Sequence, residues 1–280
     1  DPGLNGRSIK WPRGKILGGS SSINGLLYVR GQPQDFDYWR QLGNVGWSWE
    51  DVKPLFKRSE TWEDCKDDLR GSEGPLYVSK NRVNRDVVDS WLKASLTAGY
   101  NWTDDYNQEN QEGVGYFQMT MKDGIRCSAA TAYLTPVRNR KNLTVITRAH
   151  AEKIIIKNGR ATAVSAIVQG QLKTIEAARE VIVCAGAVGS PQLLMLSGIG
   201  APDELSQHGI EVVGVLPGVG KNMQDHLQAR PVYKCKSRTI NNESRNPIML
   251  LQMAAQYVIS RSGPMAMAAS LGTGFLKTRP

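Results

Sequence analysis

Between residues 143 and 198 the chain repeats short strand-forming runs separated by paired turn signals, and this order narrows the fold more than any other stretch. Residues 143–148 predict one strand. Residues 152–157 and Arg160–Val168 flank Asn158 and Gly159, a dipeptide that favours a tight hairpin turn. Gly170 marks a second turn and Gln171–Glu176 returns as a further strand. Residues 181–184, Val-Ile-Val-Cys, are apolar throughout. Lack of alternation predicts a strand buried on both faces, as in a parallel sheet, with Cys184 as a small core residue. Ala185, Gly186 and Ala187 then lead to Ser190 and Pro191, which read as an N-cap and first helical residue. Residues 193–196 predict the short helix, closed by Gly198. A meander that feeds a buried strand and then a helix is the order found where a small antiparallel sheet crosses over a doubly wound nucleotide-binding sheet. The expected class is therefore α/β.

Elsewhere the elements are sparser. Ser48 and Asp51 form a capping-box pattern that opens a helix with Val52, Leu55 and Phe56 on one face, although Pro54 counts against it. Asn84 is placed to cap a second helix carrying Val87, Val88, Trp91, Leu92 and Leu96, with Gly99 beyond its end. Residues 249–259 predict a helix, Gly263 and Pro264 break it, and Gly272–Phe275 begins a strand.

Composition excludes several classes. No apolar run approaches the ~18 residues that a membrane span needs. The formal net charge is +9, but Lys and Arg are scattered and no aromatic-basic platform accompanies them, which argues against nucleic acid. Cys65, Cys127, Cys184 and Cys235 form no CxxC pair, which disfavours zinc and thioredoxin-like chemistry. The sequons at Asn101, Asn142 and Asn242 lack a secretory context: the opening residues are polar and turn-forming, unlike a secretory signal. A cytoplasmic or membrane-associated location is expected over a secreted one.

The densest chemistry lies in residues 13–31. Gly18 and Gly19 allow close backbone approach to a ligand. Ser20, Ser21 and Ser22 supply hydroxyls, and Ile23, Leu26 and Leu27 follow at helical spacing. The pattern predicts a helix from Gly18 to about Val29. Its start, preceded by Arg13 and Lys15 and free of acidic residues, suits an anion such as a pyrophosphate. An ordinary glycine turn before a helix would read similarly over so short a motif.

The longer match decides between these. Residues 13–31 resemble the first signature of the glucose-methanol-choline (GMC) oxidoreductases, and residues 181–200 resemble the second. Between and beyond them, residues 43–48, 111–115, 126–130 and 217–226 are similar to family landmarks in the same order, and choline-dehydrogenase-like members look most similar. The resemblance implies an FAD-binding doubly wound sheet with a β-meander crossover, and the start of an α+β substrate domain. It implies a cofactor region over residues 1–227, with a helical and loop insertion over 31–140, and a substrate domain beginning at 228–280. The implied cofactor is FAD. Asn24 matches a position near the flavin and pyrophosphate, and Arg13, Leu17, Gly18, Gly19, Ser20, Ser21, Gly25 and Leu27 match the lining around it. Ala151 matches a residue that meets the adenine, and Ala185 and Gly186 match a turn near the adenosine. Ile23 stands where some members carry the histidine that binds flavin covalently, so a non-covalent cofactor is expected.

The departures carry weight too. The family's opening GxGxxG loop with its acidic partner is missing, and Gly218-Val219-Gly220 lacks the context to replace it. The family's catalytic histidine falls beyond Pro280, so none of His150, His208 and His226 is expected to be the base, and the chain reads as an internal piece lacking both ends. The implied reaction is oxidation of an alcohol CH–OH to a carbonyl, with oxygen, a quinone or another carrier as electron acceptor. A flavin-retaining lyase and a non-catalytic flavin-binding module remain alternatives.

Overall fold

The computed structural model describes residues 2–66 and 68–278. Along the chain lie α1 (Pro33–Gln41), α2 (Trp49–Ser59), β1 (Glu60–Trp62), β2 (Leu76–Val78), α3 (Asp86–Thr97), β3 (Gly113–Tyr116), β4 (Met121–Lys122) and β5 (Ile125–Arg126). There follow β6 (Ala149–Lys157), β7 (Arg160–Val168), β8 (Gln171–Glu176), α4 (Gly186–Leu196), β9 (Ile199–Gly200), α5 (Pro202–Gln207) and β10 (Gly214–Val215). Last come α6 (Ile240–Glu243), α7 (Pro247–Ser260) and β11 (Gly272–Phe275). The chain divides into two compact units, Asp1–Arg140 with Tyr233–Pro280, and Lys141–Val232. Helices and strands are mixed throughout, an α/β composition.

In the first unit the expected capping box forms. The Asp51 amide donates to Ser48 Oγ at 3.3 Å and the Ser48 amide donates to Asp51 Oδ2 at 3.1 Å. The helix carries Pro54 in its interior. Val52 and Phe56 pack with Phe36 and Trp49, whereas Leu55 is 51% exposed. At about 100° per residue, Trp49, Val52 and Phe56 lie within about 60° of arc, and Leu55 falls about 60° beyond it. α3 is capped one residue later than expected, by Arg85; Asn84 Oδ1 instead accepts from Asn81 Nδ2. Leu92 is buried there while Val87, Trp91 and Leu96 are exposed. β11 pairs antiparallel with β3, so the last expected strand has its partner, and α7 covers the helix expected at 249–259.

A charged group lies at the centre of this unit. Glu60 is fully buried, Arg70 is 2% exposed and Arg30 is 3% exposed. Glu60 Oε1 accepts from Arg30 Nη2, from Arg70 Nε at 2.8 Å and from the Gly71 amide at 3.1 Å. Arg70 Nη1 continues to Asp105 and to Gln118 Oε1. Asn107 Nδ2 donates to Gln118 Oε1 and to the Tyr28 carbonyl, and the Tyr106 hydroxyl donates to that same carbonyl. Burial pushes the Glu60 carboxyl up, but hydrogen bonds and charge from Arg70, with the charge of Arg30, outweigh it and hold the group below the usual carboxylate range. Burial, with the Glu60 charge, pushes the Tyr28 phenol up to about 12.

In the second unit β6, β7 and β8 form the expected antiparallel meander. Both connections are two-residue loops with positive φ at each residue, Asn158 and Gly159 in one, Gln169 and Gly170 in the other, the geometry that matches strand twist. α4 packs on β6, and Ser197 Oγ accepts from the Ile154 amide at 2.7 Å. Three local expectations are corrected. Residues 143–148 are not a strand; Arg148, at φ 52, turns the chain and pairing starts at Ala149. Residues 181–184 form no strand, and among the described residues no strand pairs with them; Ile182 is 75% exposed and Cys184 is exposed rather than core. α4 starts at Gly186, with Pro191 inside it, and Ser190 Oγ accepts from the Ala185 amide instead of capping a shorter helix.

Replacing Glu60 by Gln leaves the buried Arg30 guanidinium without its counter-charge and leaves Arg70 with Asp105 as its carboxylate partner. It should lower stability by about 3–5 kcal/mol in a urea titration at neutral pH. A loss below about 1 kcal/mol would mean that the group is solvated. Because the folded-state value of Glu60 lies below its ordinary 4.5, its contribution is complete above that pH and is lost as the pH falls through the folded value. That share of acid sensitivity should vanish in the variant.

Candidate functional site

The glycine-serine segment of the first unit is a tight turn and not the start of a long helix. Gly18 takes φ 87, Gly19–Ser22 makes one 3-10 turn, and Ile23 leaves helical geometry. The chain then runs beside residues 118–120. The Thr120 amide donates to the Leu26 carbonyl at 2.8 Å and the Tyr28 amide donates to the Gln118 carbonyl at 2.9 Å. Leu26 is buried with Met119, Met121 and Ala268. These bonds take the backbone groups that a helix to Val29 would need. Asn24 and Gly25, a turn-forming dipeptide, interrupt the apolar spacing and were the signal for this break.

Each serine has a separate task. Ser21 Oγ donates to the Gly18 carbonyl and accepts from the Ala129 amide at 2.9 Å. Ser22 Oγ donates to the Leu17 carbonyl at 2.8 Å. Ser20 Oγ accepts from the Gly14 amide at 3.2 Å and is exposed. A Cβ on Gly18 would lie 2.5 Å from Ser22 Oγ and 3.1 Å from the Ala130 amide nitrogen, so the left-handed backbone and the close approach both require glycine. Gly25 abuts Ala269, whose amide donates to the Gly25 carbonyl at 3.1 Å.

Arg126, at the end of β5, clamps the same turn. Its Nη1 donates to the Ser21 carbonyl at 3.1 Å and to Asn24 Oδ1 at 2.7 Å, and its Nη2 donates to the Asn24 carbonyl at 2.8 Å. The turn presents Ser20, Ile23 and Asn24 outward, with Ile16 and Leu17 also exposed. Arg13 lies over the Trp11 ring at 4.8 Å. Leu27 is half-buried against the Leu26 cluster. Residues 10–31 contain no carboxylate. Exposed aliphatic side chains beside hydroxyl and amide donors, with cations and no acid, fit a planar aromatic group that carries negative charge.

The remaining expected positions belong to the second unit. Ala151 is exposed on β6 where the pairing with β7 shifts register. Ala185 caps α4, and Gly186, at φ 83, is its first residue; both are exposed, and the first turn holds no acid. His150 lies on β6, His208 ends α5 and His226 lies in a stretch without regular structure; all three are exposed, and among the described residues no side-chain hydrogen bond orients any of these rings. No cluster of potential metal ligands occurs among the described residues, and no helix among them is long and apolar enough to cross a membrane. Sequence reasoning missed Arg126 as a clamp and the Glu60 group behind Tyr28. Neither contact has a local sequence signal, since each joins residues far apart in the chain.

A family model described as GMC oxidoreductase matches residues 2–228. The oxygen-dependent choline dehydrogenase of Brucella anthropi is 40% identical over 279 residues, 100% of this chain and 51% of that protein. The protein of the same name from Sinorhizobium fredii is 49% identical over 228 residues, 81% of this chain and 41% of that protein. An FAD-dependent oxidoreductase from Chaetomium thermophilum superimposes with a TM-score of 0.86 over 97% of this chain and 50% of its own, at 27% identity. The chain spans about half the length of the curated relatives it matches.

The turn geometry gives a direct test. Gly18→Ala forces a side chain into the left-handed region, at about 1–2 kcal/mol, and adds the clash with Ser22 and Ala130. Thermal unfolding should show a clear loss of stability. An unchanged midpoint would mean that residues 18–22 adopt another backbone.

Proposed function

The chain belongs to the GMC oxidoreductases, and on that premise we propose that it contributes the flavin-holding part of an enzyme that oxidises a small alcohol, choline or another primary alcohol, to its aldehyde. The cofactor is FAD. The observation that carries the reading is the clamped turn at Gly18–Gly25, which presents Ser20, Ile23 and Asn24 outward in a stretch free of acidic residues. We assign Arg13, Leu17, Gly18, Gly19, Ser20, Ser21, Asn24, Gly25 and Leu27 to the flavin and pyrophosphate side, and Ala151, Ala185 and Gly186 to the adenosine side. Residues 1–227 are assigned to the cofactor region and 228–280 to the start of the substrate domain.

When bound, FAD supplies the two-electron sink that an alcohol donor requires. The work of these residues is to bind and orient. Ser20 and Asn24 offer hydrogen bonds, Ile16, Leu17 and Ile23 offer an apolar face, and the rigid turn holds their spacing. With all three imidazoles exposed and unoriented, no residue of this span is assigned as the proton acceptor. Oxygen, a quinone or another carrier completes the cycle.

The test uses the complete protein. Acid precipitation should release its flavin into solution, because Ile23 offers no nucleophile. Dye reduction should respond to at least one member of a panel that includes choline and simple alkanols. Absence of flavin, or flavin retained on the peptide containing Ile23, would contradict the assignment. The 280-residue span alone should show no turnover; activity abolished by His226→Ala would place the base within it.

A further inference from the structure

The Arg126 clamp does more than hold the turn: it fixes which end of the Asn24 side chain faces outward. Asn24 Oδ1 accepts from Arg126 Nη1 at 2.7 Å and from the Leu26 amide at 3.1 Å. A guanidinium and a backbone amide are donors only, and a carboxamide oxygen has two acceptor positions. Both are filled. Turning the amide over would set its NH2 group against two donors with no acceptor between them, so the orientation is dictated by its neighbours. Asn24 is exposed, and its Nδ2 therefore remains as an outward donor.

We propose that Arg126 is a positioning residue that locks the Asn24 carboxamide with Nδ2 directed at the FAD, making Asn24 a donor to the cofactor and never an acceptor. This rests on the flavin reading of the Gly18–Gly25 turn. The guanidinium fork suits the task. Nη1 and Nη2 diverge to Asn24 Oδ1 and the Asn24 carbonyl, and Nη1 also reaches the Ser21 carbonyl, so one planar group ties side chain and main chain in one geometry. A lysine could satisfy only part of this set.

The experiment compares Asn24→Asp, Arg126→Gln and Arg126→Lys with the parent in the complete protein. It reads the thermal midpoint of each apoprotein and the FAD dissociation constant by quenching of flavin fluorescence. Asn24→Asp keeps the shape and the bonds from Arg126 and Leu26 but replaces the outward donor by an acceptor. Its apoprotein midpoint should match or exceed the parent's, while FAD binding weakens about ten- to a hundredfold, the value of a lost hydrogen bond with charge opposed. Arg126→Gln should weaken binding over the same range, and Arg126→Lys should fall between. A parent that binds FAD together with an Asn24→Asp protein of equal affinity would overturn this inference alone. A parent that holds no FAD would overturn the functional reading beneath it.

Discussion

Glu60 is fully buried between Arg30 and Arg70, and the first unit is arranged around the need to keep that carboxylate paired. A buried ion pair brings little net stability over apolar packing, but losing one partner is severe. The group therefore acts as a constraint on geometry. Arg30 closes the segment that contains the Gly18–Gly25 turn. Arg70 passes the constraint to Asp105 and Gln118, and Gln118 to Asn107 and the Tyr28 carbonyl. Residues 26–28 and 118–120 are thereby held side by side, with Leu26 packed on Met119 beneath them. The turn projects from this fixed base.

That arrangement explains how an exposed turn can be well defined. Its serines are mostly occupied with the chain itself, Ser21 with Gly18 and Ala129, Ser22 with Leu17. Arg126 ties the far side. What remains outward is a short list of groups with set directions, and such preorganisation is what the proposed cofactor-binding role asks of them. The flavin brings the redox chemistry, so fixed placement is the contribution expected of this span.

Local chemistry was legible in the sequence where a few adjacent residues decide the outcome. Asn158 and Gly159 set a hairpin because both adopt positive φ, and Ser48 with Asp51 set a helix start through reciprocal bonds. The glycine-serine run was found for the same reason. Its continuation as a helix was misread: Ile23, Leu26 and Leu27 have helical spacing, yet Leu26 is buried against Met119 while Ile23 is 51% exposed, because pairing with residues 118–120 competes successfully with helix formation. Residues 181–184 have the composition of a central strand but no neighbour to pair with among the described residues, and strand formation depends on that neighbour. The Arg30–Glu60–Arg70 group and the Arg126 clamp were illegible, since a lone arginine gives no sign of a partner 10, 30 or 102 residues away.

The assignment of the Gly18–Gly25 turn to the cofactor is a proposal that can be tested at the backbone itself. Amide hydrogen exchange on the complete protein, with its flavin bound and after its removal, tests this most directly. Bound FAD should slow exchange at residues 18–25 while leaving the β7–β8 hairpin unchanged. Unchanged exchange at residues 18–25, with protection appearing elsewhere, would contradict the account.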